Sequence, residues 1–351
     1  MLRKTSLLAS ILAVTQLCTT PSIARDTATL ANQYAGIDPS AKTKGPPEIA
    51  WQSYEKSIGL ALRKWAAEQI APPKGGTVFY PFSGPDFVSV AQMFPEAKNF
   101  IMVAIQPAGP FVDPDKMKPE AFSSFRSKFN AEWSKFGHLG FFRTIDLNEN
   151  TASTAARLTA TPVIMAFAAR LGYSVQSVNP IRINPDKATY ETFEPESDTR
   201  WSSVRIALKK EDQEASLDYL MIDLSDTYLK DHPAELQFLT NAAKNPTLVK
   251  AASHLLPKPY FSKIRAAIVE NAPLLVQDET GLEYPDLKKI GDVKLYGKFT
   301  RVLELFNQDS QRELAKAYAE AKQTEPLPFA YSYLKSSDRR SMQVVRRPSA
   351  P

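Results

Sequence analysis

Thr77-Val78-Phe79-Tyr80-Pro81-Phe82-Ser83-Gly84-Pro85-Asp86-Phe87, followed by Phe100-Ile101-Met102-Val103-Ala104-Ile105, decides the fold class of this chain. Residues 77–82 form an unbroken apolar and aromatic run, short and β-rich, as a strand covered on both faces must be. From Pro85 to Phe94, the residues Phe87, Val88, Val90, Ala91 and Phe94 recur at helical spacing. Residues 100–105 read as a second buried strand. Strand, tight turn, helix and strand within about thirty residues make a Rossmann-like βαβ unit, which favours parallel pairing with a right-handed crossover. The expectation is an α/β protein with a mixed, partly parallel sheet and helices on both faces.

Before this unit, Trp51, Tyr54, Ile58, Leu62 and Trp65 recur at helical spacing until Pro72-Pro73-Lys74-Gly75-Gly76 stops the helix. Aromatics on one helix face are core rather than a ligand platform. After the unit, Phe122, Phe125, Phe129, Trp133 and Phe136 form another stripe, ended by Gly137. Residues 161–172 read as helix and 173–183 as extended. Residues 204–208 and 217–224 read as strands around a charged turn. Helices are expected at 234–243, 248–256, 261–270 and 311–322, and strands at 273–277 and 293–296.

Residues 1–24 carry Arg3 and Lys4, a short apolar run from Leu7 to Leu17, and Ser22-Ile23-Ala24, the pattern of a cleavable signal peptide. The run is too short to span a bilayer comfortably. The expected location is periplasmic or secreted. Cys18, the single cysteine of 351 residues, lies inside that segment, so the mature chain has neither disulfide nor thiol chemistry.

Residues 25–47 read as a flexible lead-in and 48–334 as the globular body, either one domain or two packed lobes divided near 200–230. Residues 335–351 read as a disordered basic tail. The formal charge is +5. Setting aside Arg3 and Lys4 with the signal, and Lys335, Asp338, Arg339, Arg340, Arg346 and Arg347 with the tail, leaves 36 basic against 37 acidic residues. A near-neutral body gives no nucleic-acid face. The tail's arginines could make a weak contact with an anionic envelope.

The sharpest chemical candidate is the turn after the first strand, with Ser83, Gly84 and Asp86, because ligands of open α/β sheets sit at such ends. The competing reading is capping: Ser83 as helix cap, Pro85 in the first turn and Asp86 at the positive helix end. The G-x-S-x-G elbow of a serine nucleophile is absent. So is the G-x-G-x-x-G phosphate loop, and Ile105-Gln106 stands where a dinucleotide site would place an acid on ribose. No cofactor is expected. Of the three histidines, His138, beside Gly137 and near Arg143, is the one closest to a cleft; His232 belongs to a helix entry, and no pair has metal-site spacing. Asp278-Glu279-Thr280-Gly281 reads as a turn, not a calcium loop.

The chain resembles a family of uncharacterised bacterial secreted proteins. The resemblance rests on residues 78–87 with Phe94-Pro95 and the second strand, and continues through residues 258–264, 277–281 and 326–329. It covers about residues 48–333. It implies no activity and transfers no functional residue. Gln106 stands where a similar chain could carry an acid. The functional expectation is a binding or interaction protein for a small or cell-envelope ligand near Ser83, Gly84, Asp86, His138 and Arg143. The alternative is an envelope hydrolase with an acid-base pair in the same cleft. Oligomeric state is not legible.

Overall fold

The computed structural model describes residues 26–37, 46–70, 74–111, 113, 116–139, 159–193, 201–309, 311–330, 333 and 340–348. The expected signal segment lies outside them. Ten strands form one mixed sheet: β1 (Thr77–Tyr80), β2 (Asn99–Ala104), β3 (Ser174–Ile183), β4 (Tyr190–Thr192), β5 (Val204–Lys210), β6 (Gln213–Met221), β7 (Thr247–Val249), β8 (Leu274–Gln277), β9 (Asp292–Gly297) and β10 (Ser341–Arg346). Their order across the sheet is β4-β3-β5-β6-β2-β1-β7-β8-β10-β9. The five central strands, β6 to β8 in that order, run parallel. The wings on either side are antiparallel. β5 and β6, where a division near 200–230 would fall, join the first wing to the parallel centre.

Alternation along the strands feeds two cores. Val78 and Tyr80 enter one and Phe79 the other, as a pleat with period two requires. The first core is covered by α1 (Thr27–Ala35), α2 (Pro46–Tyr54), α3 (Leu60–Trp65), α4 (Phe87–Met93), α5 (Pro119–Leu139) and α6 (Ala160–Arg170). The second is covered by α7 (Asp226–Asp231), α8 (Pro233–Ala242), α9 (Ser262–Asn271) and α10 (Tyr284–Ile290). α11 (Arg312–Glu320) closes a smaller cluster with Phe299 and Val302. α2 and α3 are one rod interrupted by a π-helical turn at Glu55–Gly59, and a second such turn, Ala66–Ile70, ends it. On this rod Trp65 is a core residue, edge-on to Tyr296 and Phe329. β1 and β2 pair in parallel through α4, from Thr77 opposite Asn99 to Tyr80 opposite Met102.

Four expectations are corrected. The lead-in is not loose throughout: Asp26 caps α1, which buries Leu30, Ala31, Tyr34 and Ala35, and Thr27 Oγ1 donates to Val175 O at 2.7 Å. The tail is not a free tether, because its last strand lies between β8 and β9 with Met342, Val344 and Val345 buried. Two of its four arginines are used locally: Arg346 donates to Ile70 O, and Arg347 to Val269 O and Ala272 O. Residues 248–256 are not helix. β7 occupies 247–249, and the chain then turns through left-handed Ala251, Ser253 and His254. α5 also continues past Gly137 to Leu139. Among the described residues, no helix is long and apolar enough to cross a membrane.

Candidate functional site

β1 is the strand at which the winding reverses. From it the chain moves to β2 and then β6 on one side, and only afterwards crosses to β7 and β8 on the other. Ligands of open α/β sheets sit outside the carboxyl ends of the strands at such a reversal, where neighbouring loops part. The loops leaving β1, β2, β7 and β8 bring buried polar side chains to this edge: Ser83, Asp86, Gln106, Lys250, His254, Asp278 and Glu279.

After β1, Phe82 and Gly84 both adopt left-handed backbone, with φ of 59° and 52°. Glycine suits that conformation, while a phenylalanine there stores strain of the kind found at functional turns. Ser83 lies between them, pointing back into the sheet: its N–H donates to Val103 O at 2.8 Å and its hydroxyl to the same oxygen at 3.2 Å. Ser83 therefore neither caps α4 nor offers a free nucleophile. The cap is Asp86, whose Oδ1 accepts from Ser89 N at 3.2 Å, so the helix begins three residues later than a Ser83 cap implies.

The other carboxylate oxygen of Asp86 accepts from Tyr80 Oη at 3.2 Å and from Lys250 Nζ at 2.5 Å. Lys250 also donates to Ser89 Oγ at 3.0 Å. Both side chains of this ion pair are almost fully buried, 1% exposed for Lys250 and 3% for Asp86. Lys250 was not among the expected site residues. The signal for it was slight: a lone cation between the apolar Leu248-Val249 and the small Ala251-Ala252.

The left-handed stretch after β7 is held by the loop after β8. Asp278 accepts from Ala251 N at 2.7 Å, and Thr280 Oγ1 accepts from Ala252 N at 2.8 Å while donating to Asp278 at 2.5 Å. The turn expected at 278–281 is thus a clasp between two strand ends. Burial pushes the Glu279 carboxyl well above its usual range, with the Asp278 charge adding to the shift. Burial also lowers the His254 pKa against the opposing pull of Asp278 and Asp309, and its Nδ1 has no hydrogen-bond partner. His232 lies on the surface at the entry of α8, stacked on Tyr228 with ring centres 3.8 Å apart.

Gln106, just past β2, is 8% exposed, and its Nε2 has no hydrogen-bond partner. A side chain added at Gly84 would meet Gln106 Oε1 at 3.9 Å, which places this amide beside the β1 turn. The segment after Gln106 is pinned to the start of β5's approach: Ala108 N donates to Ser202 O at 2.9 Å and Gly109 N to Trp201 O at 2.7 Å. Trp201 Nε1 is a second buried donor without a partner. Of the remaining expected residues, His138 stands in the last turn of α5, two positions after Phe136, which packs on Tyr54. Its side chain and all of Arg143 lie outside the described residues, so the structure brings together Ser83, Gly84 and Asp86 from the expected set.

No family model and no curated sequence matches the chain.

Two other features are set apart from this edge. A groove of about 570 Å³ at the amino end of β2 is lined by Lys98, Asn99, Lys209, Asp212 and Glu214, with charges of both signs along the exposed β5–β6 hairpin. On β6, Asp218 pairs with Arg205 at 3.3 Å, and burial pushes its pKa up to about 6 against the pull of that guanidinium. Among the described residues, no group of three or more His, Cys, Asp or Glu could hold a metal ion.

Proposed function

We propose that this is an exported protein that binds a small ligand at the carboxyl edge of the sheet, between the β1 turn and Gln106. The carrying observation is the Gln106 amide, buried with an unused donor beside Gly84. A buried polar group left without a partner costs about 1–3 kcal/mol, and a ligand acceptor recovers that cost. The left-handed residues clustered at the same edge, Phe82, Ala251, Ser253 and His254, support the reading, since strained backbone concentrates at binding and catalytic turns. Binding is favoured over hydrolysis at the β1 turn because the two groups expected there for acid-base work are engaged within the protein: Ser83 on Val103 O, and Asp86 on Lys250.

Export rests on the basic, apolar and small-residue pattern of residues 1–24. Likeness to uncharacterised secreted bacterial proteins agrees with it. The test is a thermal-shift screen of the mature chain against sugars, nucleosides and amino acids, repeated with Gln106→Leu. The expected result is a compound that raises the wild-type Tm without being consumed and leaves the variant unmoved. A hit that stabilises both equally, or that is converted to product, overturns the proposal.

A further inference from the structure

We infer that the carboxyl edge of the sheet between Gln106 and Trp201 takes an uncharged sugar ring; this inference rests on the binding site proposed above. Two buried donors at one sheet edge, Gln106 Nε2 and Trp201 Nε1, have no partner in the protein. The backbone that carries them is tied together. The Gln106 carbonyl accepts from Tyr219 Oη at 3.2 Å, and residues 108 and 109 are hydrogen-bonded to 202 and 201. From the other side Thr161 Oγ1 donates to Gly109 O at 2.6 Å. A backbone held this way lowers the ordering cost of binding, and the side chains turn to meet the ligand. They call for oxygen acceptors, and the Gln106 amide can donate and accept at once, which matches neighbouring hydroxyl groups.

The wall beside these donors is aromatic. Phe111 and Trp201, both half-buried, meet edge to face at 6.0 Å and 78°. An indole offers a flat apolar face together with a polar N–H, which suits a ring that is apolar on its faces and polar at its rim. Charge at this edge argues against an ion. Asp86 and Lys250 neutralise each other, and the start of α4 is covered by the Asp86 carboxylate, so a phosphate would meet a negative group where it needs donors.

The experiment titrates N-acetylglucosamine, adenosine and inorganic phosphate separately into the mature chain, following tryptophan fluorescence and Tm, with Trp201→Phe and Gln106→Leu checked for native circular dichroism. The expected result is saturable binding of a sugar-bearing probe, with the fluorescence change lost in Trp201→Phe and affinity at least tenfold weaker in Gln106→Leu. N-acetylglucosamine alone identifies a saccharide ligand, and adenosine alone identifies the ribose of a nucleoside; either supports the inference. Phosphate binding at this edge, or failure of both sugar probes, overturns it. The site reading is judged separately, by whether any other compound gives a shift that Gln106→Leu removes.

Discussion

Replacing Lys250 with Met leaves the Asp86 carboxylate buried with its cation gone. Asp86 is 3% exposed, and its remaining partners are Tyr80 Oη at 3.2 Å and Ser89 N at 3.2 Å, neither of them charged. Breaking a buried pair from one side costs about 3–5 kcal/mol, because the surviving charge has neither water nor a counter-ion. At roughly 2 °C per kcal/mol for a chain of this size, the Tm falls by about 6–10 °C. The double variant Asp86→Asn/Lys250→Met separates the charge from the packing. Asn keeps an oxygen for the α4 cap and turns its NH2 toward Tyr80 Oη, which can accept, Met fills the lysine's volume, and most of the loss is regained, to within about 1 kcal/mol of wild type. Thermal melts followed by circular dichroism on wild type, both single variants and the double variant give the coupling directly. If Lys250→Met melts within about 1 kcal/mol of wild type, or the double variant is no more stable than the single, the buried pair does not have the role assigned to it.

Asp218 has a pKa raised from 3.8 to about 6 by burial, so between these values the folded chain holds a proton that the unfolded chain releases. Stability therefore falls as pH rises through that window, by about 3 kcal/mol for a shift of this size. In urea melts at pH 4 and pH 7, Asp218→Asn should lose less stability between the two than wild type does; an unchanged difference would count against the shift. Deleting residues 341–351 removes β10 from between β8 and β9, and is expected to abolish cooperative unfolding. A truncated chain with a wild-type melt would contradict the placement of that strand.

The centre of the fold was legible because its signals are local and agree. Val78-Phe79-Tyr80 and Phe100 to Ala104 are apolar on both faces, as parallel strands under two helix layers must be, and α4 lies between them with its apolar residues in register. Ser83, Gly84 and Asp86 were legible as a turn to watch, but their roles were not. The hydroxyl of Ser83 and the carboxylate of Asp86 are claimed by Val103 and Lys250, groups 20 and 164 residues away in the chain. β7 was misread because three residues carry no period, and Leu248-Val249 followed by alanines fits a helix equally well. The last strand was misread because Met342, Val344 and Val345 stand among arginines, and only its neighbours β8 and β9 give that short row a buried place. Gln106 was noticed as a departure from an acidic position, while its unused donor became visible only with the surrounding atoms in place.

A sheet whose penultimate rung is supplied by residues 341–346 cannot be completed before those residues have been made. Until those six residues arrive, β8 and β9 each present a bare rim of amide and carbonyl groups, an invitation to pairing with other chains. A chain broken anywhere before residue 341 is left with that seam open, ready for a protease to find.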